Sequence, residues 1–170
     1  MKKALLILAI LALPFFTEGQ VVKYKAVFTI NFIRYIGWDD AAKEGDFVIG
    51  VVKNKEFAGW LKNLSKGKKF GFQNVVIKEF KSPAEVSYCQ VLYIPANINL
   101  SKNAATIISK LGGNNTLIVT EKEGATKYGS MINFVIRGDK LKFEIHKANA
   151  QKSGLQISSK LETMASAINL

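Results

Sequence analysis

Apolar residues recur along this chain with a period that changes several times, and each change marks a new element. Over residues 21–38, Tyr24, Val27, Phe28, Phe32, Tyr35 and Ile36 return at intervals of three and four. That is the period of an amphipathic helix, and it predicts one ending near Gly37. DFVIGVV (46–52) is a continuous apolar run of strand length, followed by a helical stretch over 56–64. NVVIKEF (74–80) predicts a second strand, after which Ser82 and Pro83 supply a cap and a first helical position. CQVLYIPA gives a third strand, 101–111 a helix stopped by Gly112 and Gly113, and NTLIVTE a fourth strand.

Strands that are apolar throughout, alternating with helices, predict a parallel sheet covered on both faces. The alternation then breaks. MINFVIR and KLKFEIH are separated by Gly138 and Asp139 alone, a spacing that requires an antiparallel hairpin. Over 148–170, Leu155, Ile157, Leu161, Met164, Ala165 and Ile168 fall on one helical face, so a closing helix is expected there. The chain reads as α/β, a three-layer α/β/α arrangement with a mixed, mostly parallel sheet ending in an antiparallel hairpin. No repeat, low-complexity tract or linker interrupts 20–170, which is expected to form a single domain.

The first 19 residues stand apart. MKKALLILAILALPFFTEG has two lysines, an apolar run, a breaker at Pro14 and small residues at Thr17 and Gly19, the pattern of a secretory signal peptide. Its apolar stretch over 4–16 is well short of the roughly 20 residues that cross a bilayer. Cleavage is expected before Gln20, which would place the remainder in the periplasm of a bacterium.

The chain carries a formal net charge of +11, and losing Lys2, Lys3 and Glu18 with the leader leaves it strongly basic. Such a balance favours anionic partners. Of the 24 basic residues, however, only Arg34 and Arg137 are arginine, the side chain that base reading and bidentate phosphate recognition prefer. Nucleic acid is therefore not an expected partner. The densest basic cluster is Lys62, Lys66, Lys68 and Lys69, read first as a solvated helix end and loop and second as a contact for acidic lipid headgroups or an acidic protein surface.

Enzymatic chemistry finds little support. Cys89, the one cysteine, precludes an intramolecular disulfide and reads as a buried small hydrophobe in a strand. One cysteine and one histidine do not supply the usual ligands of a zinc site, so no metal and no cofactor is expected. LGGNNT follows a helix and precedes a strand, the wrong polarity for a dinucleotide-binding loop. No G-x-S-x-G occurs, and no carboxylate pair is identifiable by spacing, so no catalytic residue is named.

Strand alternation picks out a binding candidate instead. Asn133 alternates with Ile132 and Phe134, Lys142 and Glu144 alternate with Phe143, and His146 continues the series. These four could share one face and hold a small anionic ligand, although the same alternation is expected of any sheet with one wet face. His146 is also the side chain whose charge could respond to acidification of the envelope. In the first helix, Phe28, Phe32, Tyr35 and Trp38 read as core, or else as an aromatic edge suited to a homodimer or a partner groove.

Five stretches together resemble the YfiR-like family of exported bacterial proteins. KAVFTINFIRYIGW (25–38) is similar to that family's opening helix and FAGWLKNLSKGKKFGFQNVVI (57–77) to its second helix and strand. CQVLYI (89–94) is similar to its Cys-led strand, YGSMINFVIRGDKLKFEIH (128–146) to its hairpin, and GLQISSKL (154–161) to its closing helix. The chain departs from the family pattern at Gly129-Ser130, where Gly-Gly is usual; at His146, where Asn is usual; and at Lys140 and Lys142, where Arg is usual. Some members carry paired cysteines, which this chain lacks. The resemblance implies a non-enzymatic periplasmic regulator that binds a membrane-embedded signalling protein, such as a diguanylate cyclase or a sensor kinase. A binding protein for a small anionic ligand or envelope component is the alternative, and an exported hydrolase a third.

Overall fold

The computed structural model describes residues 18–113 and 115–169. In chain order the elements are α1 (Glu18–Phe32), β1 (Ile36–Gly37), β2 (Phe47–Val52), α2 (Lys55–Ser65), β3 (Lys69–Phe70), β4 (Gln73–Phe80) and β5 (Val91–Ile94). They continue as α3 (Leu100–Leu111), β6 (Leu117–Thr120), β7 (Ile132–Arg137), β8 (Lys140–His146), α4 (Lys147–Lys152), β9 (Gln156–Ile157), α5 (Ser159–Met164) and β10 (Ala167–Asn169). The leader expected over 1–19 lies outside the described residues except for Glu18 and Gly19, which open α1.

Eight strands form one mixed sheet in the order β10-β8-β7-β6-β5-β2-β4-β3, and β1 pairs with β9 in a separate antiparallel ribbon. β4, β2, β5, β6 and β7 run parallel, β8 returns antiparallel to β7, and β10 runs parallel to β8. The central strands FVIGVV, VLYI and LIVT are buried at nearly every position, as strands covered on both faces must be. The connections through α2 and through α3 step in opposite directions along the sheet. Right-handed crossovers therefore put these helices on opposite faces. This is the three-layer arrangement that the alternation of strands and helices predicts.

Register defines the face under α1 and α2. Val51, Tyr93, Val119, Ile132 and Ile145 lie side by side across five strands, with Phe134 and Phe143 one step along. Phe57 of α2 stacks on Tyr93 at 3.6 Å between ring centroids. Phe32 of α1 sits 5.7 Å from Phe134 and 4.8 Å from Phe143, with Phe28 beside all three. Such aromatic pairs contribute about 1 kcal/mol each beyond their buried area. On the opposite face Gly50 is confined: a Cβ there would lie 2.6 Å from the Phe80 ring and 2.9 Å from Cys89 Sγ. At the hairpin turn both Gly138 and Asp139 take positive φ, the conformation that matches strand twist in a two-residue loop.

Three expectations need correction. The first helix ends at Phe32 and not near Gly37: 33–35 tighten into a 3-10 turn and Ile36 becomes extended to pair with Ile157. Tyr35 and Trp38 keep helical spacing but pack from non-helical backbone, Trp38 edge-on to Phe47 and Tyr35 beneath the Lys160 ammonium. Ser82-Pro83 opens only a three-residue 3-10 turn, too short to be the predicted helix. Over 148–169 no single closing helix forms; α4, β9, α5 and β10 occupy those residues, and Leu170 lies outside the described residues. Gly154 turns left-handed (φ +73°) after α4, and Ser158 starts α5 afresh by accepting from the Leu161 N–H. Of the residues assigned to one helical face, Leu155 and Leu161 are buried, but Met164 and Ile168 are exposed.

Candidate functional site

The hairpin predicted to carry the site is β7–β8, and its register does place Asn133, Lys142, Glu144 and His146 on one face. Asn133 is directly opposite Glu144, and Lys142 opposite Val135. None of the four lines the cavity beside Glu121. Asn133 is 0% exposed; its Oδ1 accepts from Thr120 Oγ1 at 2.7 Å, which also contacts Ser130 Oγ at 2.7 Å. Its Nδ2 has no hydrogen-bond partner among the described residues. Glu144 accepts from Arg137 at 2.8 Å, Lys142 is exposed, and His146 Nδ1 accepts from the Asn149 N–H at 3.3 Å to cap α4. Glu144 and His146 are thus engaged within the chain, and Asn133 is engaged through its Oδ1 alone. Asn149 locks the junction further, its Nδ2 donating to the carbonyls of Thr126 and Ser130.

A different group of titratable side chains meets at the carboxyl edge of the parallel strands, where ligands of open α/β sheets bind. Glu121 follows β6 directly. It accepts from Lys25 of α1, from Tyr93 Oη of β5 at 2.6 Å and from the Ala96 N–H at 3.0 Å. The Lys25 and Glu121 side chains are 16% and 13% exposed. Burial alone would raise the Glu121 carboxyl, but the hydrogen bonds from Lys25, Tyr93 and Ala96 and the Lys25 charge outweigh it and hold it below its ordinary value. Burial, reinforced by the charge of Glu121, pushes the Tyr93 phenol far up. Glu121 is therefore a fixed acceptor and Tyr93 a fixed donor.

Beside this node the sheet splits. β6 pairs with β7 only through Val119–Ile132 and Thr120–Asn133, after which β7 continues with β8 while the chain turns away at Glu121. The split leaves a cavity of about 170 Å³, lined by Lys25, Glu121, Glu123, Val135, Arg137 and Leu141 among others. It joins charges of both signs to an apolar wall and so suits a small polar molecule better than a macromolecule. A carboxylate saturated by three donors neither abstracts nor delivers a proton readily, so the node is better built for holding α1 against the sheet than for acid–base chemistry.

Sequence reasoning missed this group. Its one legible signal was Tyr93, a phenol inside an otherwise apolar buried strand, which must find a hydrogen-bond partner. Lys25 and Glu121 are 96 positions apart, and no local spacing joins them.

Cys89 is buried, and desolvation pushes its thiol up to about 12, so it is a packing residue without thiolate character. Among the described residues, no group of three or more His, Cys, Asp or Glu side chains could hold a metal ion. Among the same residues, no helix is long and apolar enough to cross a membrane.

Residues 22–166 match the model of the YfiR/HmsC-like family. The chain belongs to this family. The match covers every strand of the sheet except β10 and includes the β7–β8 hairpin and the Lys25–Tyr93–Glu121 node. A crystal structure of a conserved domain protein from Vibrio cholerae O1 biovar eltor is similar, with a TM-score of 0.57 and 14% sequence identity over 87% of this chain. This chain spans 60% of the length of that one, and at such identity the likeness concerns the fold. No curated protein matches the chain.

Proposed function

We propose that this protein is an exported, non-enzymatic regulator that binds a membrane signalling protein of the diguanylate cyclase or sensor kinase kind and modulates its activity. The observation that carries this reading is the YfiR/HmsC-like match over residues 22–166, which takes in almost the whole folded core. The family is a regulatory one, associated with the periplasm and with a membrane-bound signalling partner. The chemistry of the carboxyl edge supports the same reading: near neutral pH Tyr93 is held protonated by burial and Glu121 ionised by the hydrogen bonds from Lys25 and Tyr93, an arrangement that favours binding and shape over turnover. Regulation requires that the partner or a small ligand bind two states of the protein unequally. The split between β6 and β7, with α1 tethered across it by Lys25, is where a small polar ligand would change how α1 sits.

Crosslinking in living cells followed by affinity capture from membranes tests the proposal. The expected result is enrichment of one integral membrane signalling protein, together with altered cyclic-di-GMP or phosphorylation output when the regulator is deleted. Recovery of no integral membrane protein, with output unchanged on deletion, would overturn it.

A further inference from the structure

At the far edge of the sheet from β10, the chain presents charge and apolar surface together. β3 and β4 form a tight hairpin, Lys69 opposite Asn74 and Phe70 opposite Gln73, with only Gly71 and Phe72 between them. Gly71 takes a left-handed φ of +55° and sets Phe72 at the apex, where it is 99% exposed. The ring stands wholly in water at the tip of a two-residue turn, and the half-buried Phe70 and Trp38 line a concavity with it.

Two concavities flank this hairpin. One, of about 350 Å³, is mostly apolar and lined by Trp38, Phe47, Phe70 and Phe72 among others, with Lys43 and Gln73 at its edge. The other, of about 390 Å³, is lined by Lys62, Lys66, Lys68 and Lys69 together with Val75 and Ile77 of β4. Lys62 is paired with Glu79, but among the described residues no ion pair engages Lys66, Lys68 or Lys69. Three ammonium groups without an ion-pair partner among the described residues therefore lie in the turn and strand that lead into the projecting ring, on a chain whose net charge is +11.

We propose that this β3–β4 knuckle docks on the surface of an anionic phospholipid bilayer, with Lys66, Lys68 and Lys69 against the headgroup phosphates and Phe72 inserted at the acyl boundary. Charge complementarity selects the occupant. Lysine is a compact point charge suited to many diffuse anionic groups and not to one bidentate carboxylate or phosphate, and here three of them lie beside an apolar tip, the pairing of charge and apolar surface found in interfacial anchors. An acidic protein would satisfy the lysines but leaves the projecting ring without a reason. The docking does not depend on which signalling partner the protein has, and it would confine a diffusing regulator to the plane in which a membrane partner lies.

The test is flotation of the protein, recovered as cells export and process it, with vesicles of phosphatidylcholine alone or mixed with phosphatidylglycerol. Binding is expected only with the anionic vesicles and should weaken steeply with salt. The triple variant Lys66→Gln, Lys68→Gln, Lys69→Gln should lose on the order of a hundred-fold in partitioning, about five-fold per lysine. Phe72→Ala should lose about ten-fold, because a buried phenylalanine contributes that much or more, while Phe72→Trp should restore binding. All four positions are surface loop or edge sites, so circular dichroism should be unchanged. Equal binding to both vesicle types, no binding to either, or variants indistinguishable from the wild type would overturn the proposal. So would tighter binding to soluble polyglutamate than to anionic vesicles, which would assign the knuckle to an acidic protein.

Discussion

Two hairpins with equally short turns lie in the same sheet, and they treat their side chains in opposite ways. β7–β8 lies inside the sheet, with β6 on one side and β10 on the other. Its residues are consumed internally: Phe134 and Phe143 by α1, Asn133 by Thr120, Glu144 by Arg137, and His146 by the start of α4. β3–β4 ends the sheet, where β3 has one neighbour and two residues. It leaves Phe72 in water and three lysines without acidic partners. In a strand with neighbours on both sides most polar groups pair within the fold, which leaves few of them for a protein partner. An edge is less constrained.

The largest test of that contrast is Phe134→Ala. It would open a cavity among Phe28, Phe32 and Phe143 and should cost about 3–5 kcal/mol in urea unfolding. An effect below about 1 kcal/mol would show that the inner hairpin is not the structural one.

Glu121→Gln comes next. The amide can still accept from Tyr93, but it leaves Lys25 largely buried without a counter-charge, so about 2–3 kcal/mol should be lost near neutral pH. The effect has a definite pH dependence. Because the folded-state value of Glu121 lies below that of an unfolded glutamate, its stabilisation is present above the unfolded value of about 4.3 and is lost as pH falls through the folded one. The gap between wild type and Glu121→Gln should therefore hold steady well above about pH 4.3 and shrink as pH falls below it through the folded value. A constant gap would mean that the ion pair is not what Glu121 contributes.

Arg137→Ala removes a bond to Glu144 whose arginine is half exposed, and it should cost at most about 1 kcal/mol, less in high salt. Phe72→Ala should be the smallest, within about 0.5 kcal/mol of wild type in stability, because no folded-state contact of a fully exposed ring is lost. A large destabilisation there would mean that the ring packs within the chain and would undo the contrast.

Much of this architecture was legible because its signals are local. Continuous apolar runs announced β2, β5 and β6, the glycine pair after Leu111 stopped α3, and Gly138-Asp139 specified a hairpin with both residues left-handed. Errors arose where a local period competed with a local breaker. Over 148–170 the three-and-four recurrence suggested one helix, although Ser153-Gly154 and Ser158 carried the opposite signals and prevailed through backbone conformation and capping. Near Trp38 the periodicity outran the helix, since aromatic residues at helical spacing pack equally well from a 3-10 turn and from the loop after a short strand. The alternation that nominated Asn133, Lys142, Glu144 and His146 identified a shared face correctly, but it carried no information on what else would fill that face.

Sequence alone determined the class of the fold, the succession of its long strands and helices from β2 to β8 apart from the turn at Pro83, its basic character and its family, because each depends on composition or on residues close together in the chain. Only tertiary structure decided which polar groups are spent and which are free. Lys25, Tyr93 and Glu121 become one satisfied node, and Phe72 with its lysines stays exposed, through strand order and crossover handedness. Those bring distant residues within hydrogen-bond reach in the first case and withhold every neighbour in the second.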